Sequence, residues 1–228
     1  MPAASNAFYF DLASPLAYLA AEQALSVFAG AAPVEWQPVL AAELPGGETF
    51  EGARWETESA VTREEVERRA AALGLQPVRW PEPFPFDSTV AMRAATYAKS
   101  IGRAVPFAQA AFRQAFAGGR SLASQDTVLI AAAACEMHPA AVLRAVRMRS
   151  VAEQLAAQTE QAAQLGVREV PAILAGERGL VFHGERALGE AAESIRAAPG
   201  TSAGAKAGAP GAGVSGKPRS PITIHRSR

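Results

Sequence analysis

Phe8-Tyr9-Phe10-Asp11-Leu12-Ala13-Ser14-Pro15 narrows the fold more than any other stretch of the 228-residue chain. The apolar run reads as a short strand, and the Ser-Pro pair after it reads as a helix start. Ser14 can act as N-cap. Pro15 suits the first helical position, where its missing N–H would have no intrahelical partner anyway. A strand that feeds a helix N-terminus aims unpaired N–H groups and a partial positive charge at one point. A hydroxyl held at that point can donate to an anion such as a thiolate.

The pattern after Pro15 predicts a helix to Phe28 and a second strand over Val34–Leu40. In that strand Val34 and Trp36 alternate with Glu35 and Gln37. Residues 41–61, with Leu44-Pro45-Gly46-Gly47, carry no clear period and read as a loop. Thr62-Arg63-Glu64-Glu65 has the capping-box spacing, and Gly74 ends the helix that it opens. The prolines between Pro77 and Pro85 demand extended backbone. Helices are then expected at Ser88–Ile101, Val105–Ala117, Gln125–Met137, Pro139–Met148 and Val151–Leu165. The last of these follows a second capping box, Ser150 to Glu153. Glu169–Ala175 and Leu180–His183 flank Gly176-Glu177-Arg178-Gly179, a hairpin signal, before a final helix over Arg186–Ala197.

The predicted order is therefore β-α-β, a block of helices, then β-β-α, an α/β layered arrangement. That order is the one expected of a thioredoxin fold with an all-helical insertion. Residues 1–40 and 166–198 make the thioredoxin-like domain, and 41–165 supply the loop and the helical insertion. Residues 199–228, rich in Gly, Ala, Ser and Pro, are expected to be a disordered basic tail.

Bulk properties exclude several classes. With 49% hydrophobic and 19% charged residues the chain fits a soluble globular protein. Its longest apolar runs, such as Val128–Cys135, are too short to span a bilayer, and no signal-peptide pattern opens it, so a cytoplasmic location is expected. The tail holds five basic residues and no acidic one. All 22 acidic residues precede it with 17 of the 22 basic ones, a net of about −5, which argues against a nucleic-acid-binding core. Cys135 is the only cysteine, so neither an internal disulfide nor a Cys-x-x-Cys pair exists. It sits in a helical alanine run and reads as an inert buried thiol. The three histidines show no metal-ligand spacing, and Ser14 has no evident His-Asp partners for acyl transfer.

Residues 8–19 resemble the DsbA-like branch of the thioredoxin superfamily that includes kappa-class glutathione transferases and 2-hydroxychromene-2-carboxylate isomerases. Those proteins open with a strand and a Ser-Pro-aromatic-Ser-aromatic turn, here Ser14-Pro15-Leu16-Ala17-Tyr18, with Ala17 in place of the second serine. Glu169-Val170-Pro171-Ala172 resembles the family's Val-Pro-Thr segment, which implies a cis bond between Val170 and Pro171. The resemblance also implies that Val170 and Pro171 face Ser14 and present backbone groups to the cysteinyl part of glutathione, in the manner of an added strand.

Phe182-His183-Gly184-Glu185-Arg186 resembles the segment whose acidic residue binds the γ-glutamyl amino group. Ungapped, that position falls on Arg186; shifted by one, Glu185 and Arg186 fit. In place of the family's Asn and Lys near residues 43–59, the chain offers Arg54 or Arg63 as a fork for a carboxylate. Trp80-Pro81-Glu82-Pro83-Phe84-Pro85 and Met92-Arg93 also resemble isomerase-like members, although packing accounts for them.

The resemblance implies an isomerase of small aromatic 2-hydroxychromene-2-carboxylate-like substrates that depends on glutathione or another low-molecular-weight thiol, with Ser14 favouring its thiolate. A kappa-type transferase and a non-catalytic thioredoxin-like binding module are the alternatives. A homodimer is compatible with the family, and neither nucleic acid nor membrane is expected as a partner.

Overall fold

The computed structural model describes residues 6–46, 55–176 and 179–197. The tail at 199–228, Arg54 and the central pair of the hairpin turn lie outside the described residues. The chain runs β1 (Ala7–Phe10), α1 (Pro15–Val27), β2 (Glu35–Pro38), a 3-10 turn at Ala41–Glu43, α2 (Trp55–Ala72), α3 (Thr89–Ser100) and α4 (Ala104–Phe112). Then follow α5 (Gln125–Ala133), α6 (Pro139–Arg147), α7 (Arg149–Gln164), β3 (Ala172–Ala175), β4 (Leu180–His183) and α8 (Leu188–Ala197).

The strands form one mixed sheet in the order β2-β1-β3-β4. β1 and β2 are parallel, as a helix-connected pair must be, while β3 runs antiparallel to β1 and β4 antiparallel to β3. All four residues of β1 are buried because both faces of the sheet are covered. Successive side chains point to opposite faces, so Phe8 and Phe10 enter one core with Trp36 and Ile173. Ala7 and Tyr9 enter the other with Val39, Val167 and Leu174. The first core continues through Tyr18 and Phe112 to Phe116, in ring contacts of 5.5–6.2 Å. It joins the sheet to the inserted helices. This is the thioredoxin fold with a helical insertion. No helix among the described residues is long and apolar enough to cross a membrane.

Several boundaries differ from the sequence expectation. The expected loop over 41–61 is helical from Trp55, so the Thr62 capping box lies inside α2 rather than at its start. A Ser/Thr-x-x-Glu spacing caps only where the preceding residues leave the helix, and Glu56, Glu58 and Ala60 favour continuing it. Ser150 likewise falls inside α7, because Met148 is both the C-cap of α6 and the N-cap of α7. α5 stops at Ala133, with Glu136 in the left-handed region at φ 59°. The expected single helix over Val105–Ala117 passes into a π turn at Arg113–Ala117, closed by Gly118 N–H donating to the Arg113 carbonyl at 2.8 Å. β3 begins at Ala172 rather than Glu169, and a 3-10 turn at Glu185–Ala187 precedes α8.

Candidate functional site

Ser14 caps α1 as its residue type dictates. Its backbone is extended, and its hydroxyl oxygen accepts the Ala17 N–H at 3.1 Å. The hydroxyl hydrogen has no acceptor among the described residues, so it remains free to donate at the positive end of α1. The loop that carries Ser14 is fixed from several sides. Ser14 N–H donates to the Asp11 carbonyl at 3.0 Å, and Leu12 N–H donates to the Met92 sulfur at 3.2 Å. Met92 and Arg93 therefore hold structure, since the Arg93 guanidinium also donates to the Val146 carbonyl at 3.3 Å.

Asp11 is the residue that sequence reasoning passed over. It is buried, and its carboxylate accepts from Ala13 N–H at 2.9 Å and Ala41 N–H at 2.9 Å. It also pairs with the Ser88 hydroxyl. Burial pushes its carboxyl pKa above the ordinary value, against the lowering effect of those hydrogen bonds. Asp11 thus joins the end of β1, the segment after β2 and the start of α3. The available signal was an acid inside an apolar strand-to-helix junction, where a charged group needs partners.

The antiparallel register pairs Tyr9 with Ala172, so the start of β3 lies at the end of the sheet from which β1 runs toward Ser14. The Val170–Pro171 bond is cis, as expected; Glu82–Pro83 and Phe84–Pro85 are cis as well. The Pro171 carbonyl is taken by Gly184 N–H at 2.8 Å, from a glycine at φ 83°. Val170 is half-buried, and its own N–H and C=O have no hydrogen bond among the described residues. His183 supports the segment just before it, accepting the Arg168 N–H on Nε2 at 3.1 Å. One end of the sheet therefore carries a hydroxyl donor, a helix N-terminus and the Val170 N–H and C=O, which no described residue pairs.

The proposed acidic site is occupied from within the protein. Glu185, only 8% exposed, forms an ion pair with Arg69 of α2, and Arg69 also pairs with Glu65. Arg186 extends outward to Glu65 at 3.0 Å. The Glu185 carboxylate is thus held by a guanidinium rather than left free for an ammonium group. Arg63 lies over Trp80 and Phe84 at 5.1 and 5.5 Å, a cation–π arrangement. Trp80 in turn donates to Glu67 at 2.6 Å and packs on Phe84 and Phe116.

No protein thiol is available to the site. Ser14 and Ala17 occupy the i, i+3 spacing of a redox pair, and Cys135 is buried with its thiol donating to the Ala131 carbonyl at 3.3 Å. Burial pushes the Cys135 thiol pKa up, the reverse of a reactive cysteine.

Comparison with known proteins agrees with this architecture. The chain is similar to the structure of a 2-hydroxychromene-2-carboxylate isomerase, with a TM-score of 0.70 and 17% identity over 80% of this chain and 90% of that one. It is similar to a probable DsbA oxidoreductase from Streptomyces coelicolor, with a TM-score of 0.68 and 18% identity over 84% and 89% of the chains. A cytosolic disulfide reductase from Pseudomonas aeruginosa, solved also with GSH, aligns at a TM-score of 0.58 and 15% identity over 84% and 95% of the chains. No curated protein matches the chain in sequence. Residues 7–196 match the DSBA-like thioredoxin domain family, and the chain belongs to that family.

Proposed function

We propose that the protein is an isomerase of aromatic 2-hydroxychromene-2-carboxylate-like substrates that works with a low-molecular-weight thiol, glutathione or another. One observation carries this reading. The Ser14 hydroxyl hydrogen and the Val170 N–H and C=O, without partners among the described residues, lie at the same end of a sheet in a chain whose only cysteine is buried elsewhere. A disulfide oxidoreductase needs its own thiol at the helix start, and here that position is Ser14.

Val170 N–H and C=O suit the backbone of a cysteinyl peptide, paired as an added strand. Ser14 would donate its hydroxyl hydrogen to the sulfur, and the end of α1 would favour its negative charge. Together they support a thiol pKa about one to two units below the usual 8.5 or so. The thiolate supplies the nucleophile that adds to the conjugated substrate and leaves once the former double bond has rotated. The amino end of glutathione fits less well, because Arg69 already holds Glu185. That pairing favours a thiol lacking a γ-glutamyl ammonium group, or glutathione bound through its backbone alone. The cytoplasm, where small thiols stay reduced, is the compartment this chemistry requires.

A binding module without turnover is the second reading, favoured by Ala17 and by the Arg69–Glu185 pair. Thiolate absorbance, titrated with glutathione against wild type and Ser14→Ala, decides the role of Ser14. The wild type should lower the apparent thiol pKa, and Ser14→Ala should return it toward the free value. A lowered pKa without isomerisation of 2-hydroxychromene-2-carboxylate selects the binding module. Equal titrations for the two proteins remove Ser14 from the site.

A further inference from the structure

A cleft of about 570 Å³ lies beside α1, opening one turn past Ser14 at Tyr18, and the thiol chemistry leaves it unused. Its walls include Tyr18 and Glu22 of α1, Leu75 and Gln76 after α2, and Arg113 and Gln114 of the π turn. Glu22 stands eight residues past Ser14, about 12 Å along the helix axis at 1.5 Å per residue. The volume falls within the usual range for small-molecule sites, and the cleft sits where an inserted helix meets the sheet's first helix.

Two side chains in it, Tyr18 and Arg113, keep hydrogen-bonding capacity that no described residue takes up. Tyr18 is 2% exposed, yet its hydroxyl makes no hydrogen bond among the described residues. The ring is buried and the residue lines the cleft. Arg113 binds Glu22 through Nε at 2.7 Å and Nη2 at 2.8 Å. That uses one side of the guanidinium fork and leaves the Nη1 edge open, on a side chain that is 57% exposed. The Glu22 side chain is only 10% exposed, so the pair holds the guanidinium in place. The carboxamides of Gln76 and Gln114 likewise have no partner among the described residues. π turns of this kind concentrate at functional sites.

We propose that this cleft is a second small-molecule site, which binds a planar monocarboxylate through the open edge of Arg113 and the Tyr18 hydroxyl. A planar carboxylate matches the guanidinium edge with two parallel N–H···O bonds. The nearby Glu22 carboxylate disfavours a doubly charged phosphate by repulsion. Leu75 offers an apolar wall for a flat body, while the Tyr18 ring is packed against Phe112 and Phe116. The Tyr18 phenol is a donor at neutral pH, and burial and Glu22 push its pKa further up against the lowering effect of Arg113.

Calorimetric titration at pH 7 with trans-cinnamate, and with the neutral cinnamamide, tests the site. Cinnamate should bind with a dissociation constant at or below about 1 mM, and cinnamamide at least about tenfold more weakly. Arg113→Lys keeps a cation for Glu22 but loses the planar edge, and should weaken cinnamate about tenfold. Tyr18→Phe keeps the ring packing and should weaken it several-fold, which tests the site even if Arg113→Lys fails to fold. Ser14→Ala should leave cinnamate binding unchanged, whatever becomes of thiol binding. Failure to bind cinnamate at 10 mM, equal affinity in Tyr18→Phe, or loss of binding in Ser14→Ala would each overturn the proposal.

Discussion

The Asp11 carboxylate accepts the Ala41 N–H at 2.9 Å, which ties the turn that carries Ser14 to the segment that follows β2. The two residues are 30 positions apart, so this contact forms only once β1 and β2 are paired. Asn at position 11 keeps the shape but has one acceptor oxygen, and its amide would face a backbone N–H. Asp11→Asn should therefore cost about 1–3 kcal/mol at low pH, where the charge of Asp11 matters least.

The pH dependence of that cost has a definite sign. The Asp11 carboxyl has a raised pKa in the folded state, so the native protein binds the proton more tightly than the unfolded chain does. The stabilisation from this group is complete below the unfolded value and is lost as pH rises through the folded one. Denaturant unfolding across the acidic range should show the wild type losing stability relative to Asp11→Asn as pH rises. A gap between the two that widens instead would contradict burial as the dominant influence on this carboxyl.

Arg69 and Glu185 join α2 to the turn before α8 across 116 residues of sequence. Removing Arg69 leaves the Glu185 carboxylate, with little exposure, facing only the Arg186 guanidinium at 3.9 Å. Arg69→Ala should destabilise by roughly 3 kcal/mol, and the further change Glu185→Gln should recover part of it. A double variant no more stable than Arg69→Ala would show that the pair is not coupled in this way.

The parts of this fold that are legible in the sequence are those fixed by neighbours. Ser14 and Pro15 state their cap and first-turn roles locally, and the alternation around Trp36 marks β2 because one strand face repeats every second residue. The Thr62 box misleads for the same reason: a four-residue signature contains nothing about whether the helix had already begun. Glu169, Val170 and Pro171 read as strand because the apolar run continues into Ala172. What ends the ladder is the pairing with β1, which reaches only from Ala172 to Leu174. The candidate site was half legible. Ser14 states its cap role locally and Val170 follows only from the family resemblance of its Val-Pro segment, whereas Asp11 and the Arg69–Glu185 pair depend on contacts between distant segments. The π turn at Arg113–Ala117 carries no local mark at all.

Cys135 separates cofactor-thiol chemistry from protein-thiol chemistry. It is 5% exposed, and its thiol pKa is raised by burial. Cys135→Ala should leave any thiol-dependent turnover unchanged while costing about 1 kcal/mol of stability for the lost sulfur contacts. In the native wild type, alkylation by iodoacetamide should be slow until denaturant is added. Turnover abolished by Cys135→Ala in a folded protein would mean that the thiol belongs to the chain after all.

The field at the start of α1 can be measured without any cofactor. Ser14→Cys places a thiol where the hydroxyl caps the helix, next to unpaired N–H groups, with the single native cysteine buried as a quiet background. If the helix end favours an anion there, the introduced thiol should ionise about one to two pH units below the usual value of roughly 8.5. Thiolate absorbance near 240 nm, followed against pH and corrected with Ser14→Ala, reads this directly. Salt should shrink the shift, because the point is partly open to solvent. Ser14→Ala itself should cost about 0.5–2 kcal/mol in unfolding, since Ala17 N–H loses its cap. An introduced thiol that titrates at or above its ordinary value would remove the electrostatic basis for holding any thiolate at this position, whichever small thiol the protein meets.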